Sequence, residues 1–117
     1  MRVLTAIAVV VGLGLAQASN AQGGAPSGQI TVYGQGNASC GVWVNARRVN
    51  NVETEHQFAA WVLGYISGVE SGLGTVRFKE TDFDGVTAFL DKECGQKPLE
   101  TVYEASMALV QTLHSGR

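Results

Sequence analysis

The stretch Glu53–Gly72, ETEHQFAAWVLGYISGVESG, constrains the fold more than any other part of the chain. Its large apolar residues, Phe58, Trp61, Val62, Tyr65, Ile66 and Val69, recur at the i, i+3, i+4, i+7 spacing of one helical face. Beside them runs a second series, Ala60, Gly64, Gly68 and Gly72, each four residues after the last and so stacked turn upon turn. Glycine inside a helix costs about 0.5–1 kcal/mol relative to alanine, so a stripe of it needs a reason. Close approach is one. Either the last helix of the chain packs tightly on the stripe, or a partner does, with Trp61 and Tyr65 as aromatic anchors. The remaining surface, His56, Ala59, Leu63, Ser67 and Glu70, is hardly charged. The pattern predicts a central helix buried on most sides.

The N-terminus points to export. Met1-Arg2 is a short basic start, Val3 to Leu15 is uncharged and apolar, and small residues follow, the order of a secretory signal peptide. Ser19-Asn20-Ala21 and Ala16-Gln17-Ala18 both fit the small-x-small cleavage rule, and cleavage after Ala21 is preferred. The apolar run falls short of the roughly 20 residues that a membrane-spanning helix needs. The expected organisation is a cleaved signal over 1–21, a flexible Gly-rich arm over 22–38 and a helical domain over 39–117. The mature chain is expected in the periplasm or outside the cell, with no membrane attachment once the signal is gone.

Eight basic residues stand against ten acidic ones, for a net charge of −2, and no basic–aromatic patch occurs. Nucleic acid is therefore not an expected partner. The two cysteines, Cys40 and Cys94, read as one disulfide in an oxidising compartment. Closing a loop of that length is worth about 4 kcal/mol on the chain-entropy model, a large share for so small a core.

Around the central helix the chain divides into short segments. Within the arm, Ile30, Val32 and Tyr33 are the residues able to dock on the core. Ser39–Arg48 reads as a short helix with Ser39 as N-cap and with Cys40, Trp43, Val44 and Arg47 on one face; Trp43 reads as core. Asn50-Asn51 ends it, and Asn51 or Thr54 caps the central helix, whose first turn carries Glu53 and Glu55. Leu73–Glu80 is a linker. Thr81 with Asp84 resembles a capping box for a third helix whose apolar face starts at Val86 and which stops at Gly95. Pro98 suits the first position of a last helix bearing Leu99, Val102, Tyr103, Ser106, Leu109, Val110 and Leu113. The fold class expected is all-α, a small bundle of three main helices plus a short N-terminal one.

No chemistry-bearing constellation stands out. Asp82-Phe83-Asp84-Gly85 lacks the later acidic ligand of a calcium loop, so no metal is expected, and nothing calls for a cofactor. Both cysteines are assigned to the disulfide, His56 and His114 fall at helix ends, and Glu53/Glu55, Asp82/Asp84 and Glu100/Glu104 lie where caps and solvated faces place acids. An enzyme is not expected. The candidate binding residues are those of the stripe: Trp61, Gly64, Tyr65, Gly68 and Gly72.

With these residues laid out, the chain resembles a family of small exported bacterial proteins. The shared pieces are Ser39-Cys40-Gly41-x-Trp43, Trp61-Val62-Leu63-Gly64-Tyr65-Ile66-Ser67-Gly68, Phe89-Leu90-Asp91-x-x-Cys94, and Pro98-Leu99 leading into Ala108-Leu109-Val110-x-x-Leu113. More distantly, Gly64-Tyr65-Ile66-x-Gly68-Val69 and the helix after Lys97-Pro98 are similar to immunity proteins of type VI secretion amidase effectors. That likeness implies a periplasmic helical protein that binds and blocks one cognate toxin. In size and in its single disulfide the chain also resembles Hde-type acid-stress chaperones, which open as carboxylates protonate. A structural component of the envelope is a further alternative.

Overall fold

In a computed structural model, residues 30–74 and 77–116 are described. They form four helices, α1 (Cys40–Arg48), α2 (Val52–Leu73), α3 (Phe83–Gln96) and α4 (Val102–Ser115), preceded by a 3-10 turn at Gly34–Asn37. Cys40 and Cys94 are joined by a disulfide. The protein is thus an all-α small bundle, as the periodicity predicts. Among the described residues no helix is long and apolar enough to cross a membrane. The expected signal segment 1–21 and the first part of the arm lie outside the described residues.

The core collects one face from each helix: Cys40 and Trp43 from α1, Phe58, Ala59, Val62 and Ile66 from α2, Val86, Leu90 and Cys94 from α3, and Val102, Ala105, Leu109 and Leu113 from α4. Trp43 is fully buried at its centre, 6.1 Å from Phe58. Ser106 is a fully buried polar residue, and its hydroxyl donates back to the Val102 carbonyl at 2.7 Å.

Where each helix starts is decided by local chemistry, and here the structure corrects several expectations. Asn51, rather than Thr54, caps α2 by accepting from the Thr54 N–H at 3.1 Å. For α3 the cap is Asp82, which accepts from the Gly85 N–H at 2.8 Å, and the helix begins at Phe83; the expected Thr81/Asp84 box does not form. Gly95 lies inside α3, because the Lys97 N–H still donates to the Glu93 carbonyl one turn back. Nor does Pro98 open α4. Thr101 does, in a capping box with Glu104, which leaves Pro98 and Leu99 in the preceding turn with Leu99 95% exposed. α1 ends in the Schellman manner: Asn51 N–H reaches the Ala46 carbonyl, Asn50 N–H the Arg47 carbonyl, and Asn50 takes a positive φ of 54°.

The N-terminus of α1 has a cap that no local pattern announces. Ser39 makes no side-chain capping bond. Instead, Cys40 N–H donates to the Glu100 carbonyl at 2.7 Å and Gly41 N–H to the Pro98 carbonyl at 2.9 Å. Ser39 and Thr101 pair as an isolated antiparallel bridge, and Val102 N–H donates to the Ala38 carbonyl at 2.9 Å. The turn between α3 and α4 therefore satisfies the donors that α1 leaves open.

Candidate functional site

α2 is the element that carries the candidate residues, and it is less enclosed than its sequence suggests. Its inner face buries Glu55, Phe58, Ala59, Val62 and Ile66. Its outer face, Ala60, Gly64, Ser67, Gly68, Ser71 and Gly72, is exposed along about 18 Å of helix, taking 1.5 Å per residue. A Cβ added at Gly64, Gly68 or Gly72 would meet nothing within 4 Å. The expectation that the stripe packs the last helix is overturned. α4 meets α2 on another flank, where Tyr65 and Tyr103 stand edge to face with centroids 5.5 Å apart.

Trp61 and Tyr65 border this small-residue face. Their rings stack with centroids 5.6 Å apart and planes within 6°, so Trp61, Tyr65 and Tyr103 form a continuous half-buried aromatic ladder from α2 to α4. Burial, with the neighbouring Tyr103 phenol adding to it, pushes the Tyr65 hydroxyl up to about 12. It stays protonated at any physiological pH. The ladder offers apolar surface bordered by the protonated Tyr65 hydroxyl.

One half of the Trp61 indole is not free. The 3-10 turn lies on it: a Cβ at Gly36 would sit 2.1 Å from Trp61 Cζ2, and Gly34, at φ +72°, rests 3.3 Å from Cδ1 by the same measure. Trp61 Nε1–H donates to the Tyr33 carbonyl at 2.8 Å, and Gln35 Nε2 donates to Gln57 Oε1 at 3.0 Å. The arm therefore docks through its glycine backbone. Of the side chains expected to dock, Tyr33 is 79% and Ile30 57% exposed, while Val32 is half-buried. Only a residue without a Cβ lets backbone lie flat on an indole, and that is the signal the Tyr33-Gly34-Gln35-Gly36 run carries.

The residues with more obvious chemistry are occupied elsewhere. Arg47 donates to Asp91 through Nε at 2.9 Å and Nη2 at 2.8 Å, and to Glu55 Oε2 at 2.9 Å, while Trp43 Nε1–H donates to the same Asp91 at 3.0 Å. The Arg47 guanidinium also lies 5.5 Å from the Trp43 ring centre. This clip joins α1, α2 and α3. His56 packs edge-on against Phe83 and His114 against Phe78. Glu70 is drawn into the fold by accepting from the Phe78 N–H. Among the described residues no group of three or more His, Cys, Asp or Glu side chains is placed to hold a metal ion.

A second surface feature lies between α3 and α4, a shallow depression lined by Lys97, Leu99, Glu100, Glu104, Met107, Ala108 and Gln111. Glu100 Oε2 is enclosed there without a hydrogen-bond partner, 3.9 Å from Lys97 Nζ. Burial holds its carboxyl above the usual range, against the attraction of Lys97 and with the charges of Glu93 and Glu104 adding to the rise. Glu104 is held below the usual range by the Thr101 N–H and hydroxyl that bond it.

No family model matches the sequence, and neither a curated protein nor a solved structure does.

Proposed function

We propose that this chain is an exported binding protein of the immunity-inhibitor type, which docks one cognate protein on the outer face of α2. The observation that carries this reading is the open space over Gly64, Gly68 and Gly72. Three glycines in one helix cost about 2 kcal/mol together, and among the described residues nothing uses the closeness they allow. A partner's backbone or ring can approach such a face more closely than one that bears side chains. The stacked Trp61 and Tyr65 beside it supply the aromatic surface on which interfaces concentrate their energy. Export rests on the signal-like N-terminus and agrees with an intramolecular disulfide, which persists in oxidising compartments.

The test is native mass spectrometry of the tagged mature chain recovered from the periplasmic and extracellular fractions of its source. One stoichiometric protein partner is expected. Gly64→Leu and Gly68→Leu should abolish that complex with the fold intact, because the added side chains point into open space and leucine favours the helix. Gly95→Leu, an exposed and equally open position on α3, should leave it unchanged. A complex that survives both α2 substitutions would place the interface elsewhere. No partner at neutral pH, with many loosely held clients at low pH, would favour the chaperone reading.

A further inference from the structure

The 3-10 turn packs against both α2 and α4. It lies before Cys40, outside the loop that the disulfide closes. Its grip on α2 consists of the Tyr33 carbonyl on Trp61 Nε1–H, the exposed Gln35–Gln57 bond and the flat contact of Gly36 with the indole. Gly36 is the only buried residue in the turn, so opening it exposes little apolar surface besides the indole itself. Fixing Gly34 and Gly36 also costs more backbone entropy than fixing any other residue type. Segments with few buried apolar contacts and solvent-exposed hydrogen bonds open locally, at free energies well below that of global unfolding.

We propose that residues 33–37 act as a removable strap over Trp61. Hinged at Ala38, whose carbonyl holds α4 through the Val102 N–H, the strap swings off while the four helices stay packed. Its opening bares the second half of the Trp61–Tyr65 stack, in continuity with Gly64 and Gly68. Its meaning for function rests on the binding reading above: a partner that covers this corner of α2 displaces the strap, which makes it an autoinhibitory contact.

Hydrogen exchange in the full chain tests the strap without any partner, so its failure and that of the binding reading are told apart. Two indole N–H groups serve as matched probes. Trp61 donates to the strap, and Trp43 donates to Asp91 from a fully buried ring. Trp61 Nε1–H should exchange about tenfold or more faster than Trp43 Nε1–H. It should also share one opening free energy, with one denaturant dependence, with the Ala38 N–H, which closes the turn on the Gln35 carbonyl. Gly36→Val, which cannot lie on the ring, should speed Trp61 exchange and raise its quenching by acrylamide, with Trp43 and the far-UV spectrum unchanged. Exchange of Trp61 at the rate of Trp43, or a Trp61 no more accessible in Gly36→Val than in the parent, would overturn the proposal.

Discussion

Two regions of this bundle use their residues in opposite ways. At the α1–α2–α3 junction nearly every reactive side chain is committed to holding the fold: Cys40 to Cys94, Arg47 to Asp91 and Glu55, Trp43 to Asp91. Along the outer face of α2 side chains are few and small, and among the described residues nothing comes within 4 Å of a Cβ added at Gly64, Gly68 or Gly72. A search for function that follows charge, sulfur and histidine therefore ends in scaffolding. The face left free is the one whose composition costs stability without an internal return. The contrast separates polar groups whose partners account for them from glycines whose helix cost no contact among the described residues offsets.

The largest way to break the contrast is to unlock the junction. Cys40→Ser with Cys94→Ser should cost about 4 kcal/mol from loop entropy, before any loss of packing at two fully buried positions. Against a total of about 5–15 kcal/mol for a domain, that leaves a marginal fold, read as a sharp drop in the thermal midpoint. An unchanged midpoint would mean that the bond contributes nothing to the junction. Next comes Asp91→Ala, which leaves the buried Trp43 N–H without its acceptor and Arg47 with Glu55 alone. Asp91 and Arg47 are each about 40% exposed, so solvent weakens the ion pair, and the orphaned indole carries most of the loss. About 1–3 kcal/mol is expected in denaturant unfolding. Asp91→Asn, which keeps an acceptor for the indole, should recover much of it.

The opposite sign is expected on the free face. Gly64→Ala and Gly68→Ala should each stabilise the chain by about 0.5–1 kcal/mol, since each gains helix propensity and meets no neighbour. If the reading of this face is right, such gains come with weaker partner binding, the usual exchange of stability for function at a site. A loss of stability at either position would show that the face is packed after all.

The sequence made the bundle legible because its signals are periodic and strong. The i, i+3, i+4 series of α2 and α4 and the paired cysteines each leave one arrangement open. Boundaries were harder. Thr81 suggests the cap of α3, but the side chain that reaches the Gly85 N–H is that of its neighbour Asp82. Pro98 suggests the start of α4, and that expectation missed Thr101, whose capping-box partner Glu104 follows three residues later in the sequence. The candidate site was half legible. Spacing places Ala60, Gly64, Gly68 and Gly72 in one stripe, but which side of the bundle the stripe meets depends on where α4 lands. Spacing puts Tyr103 on the apolar face of α4, and the fold makes it the far rung of the aromatic ladder. The strap and the capping of α1 by the Pro98–Glu100 turn join segments far apart in the chain, through backbone groups that every residue possesses.

The finest prediction concerns the enclosed carboxylate of the turn between α3 and α4. The folded state holds Glu100 above its ordinary value of 4.5, chiefly through burial, so its contribution is complete below that value and is lost as pH rises through the folded value. At neutral pH its charge works against the fold. Glu100→Gln removes the charge at nearly equal volume, and should raise the thermal midpoint at pH 7 by roughly 1–2 °C. The gain should vanish as the pH falls below 4.5 and the parent carboxyl takes its proton. Glu104 has the reverse sign: held low by its capping bonds, it contributes above 4.5 and loses that contribution as pH falls through its lowered folded value. Glu104→Gln should therefore cost some stability at pH 7 and little in strong acid. The two variants should therefore converge on the parent, from above and from below, as the pH is lowered. Parallel curves would mean that Lys97 neutralises Glu100 fully, and that the α3–α4 turn is set by its backbone bonds to α1 rather than by its charges.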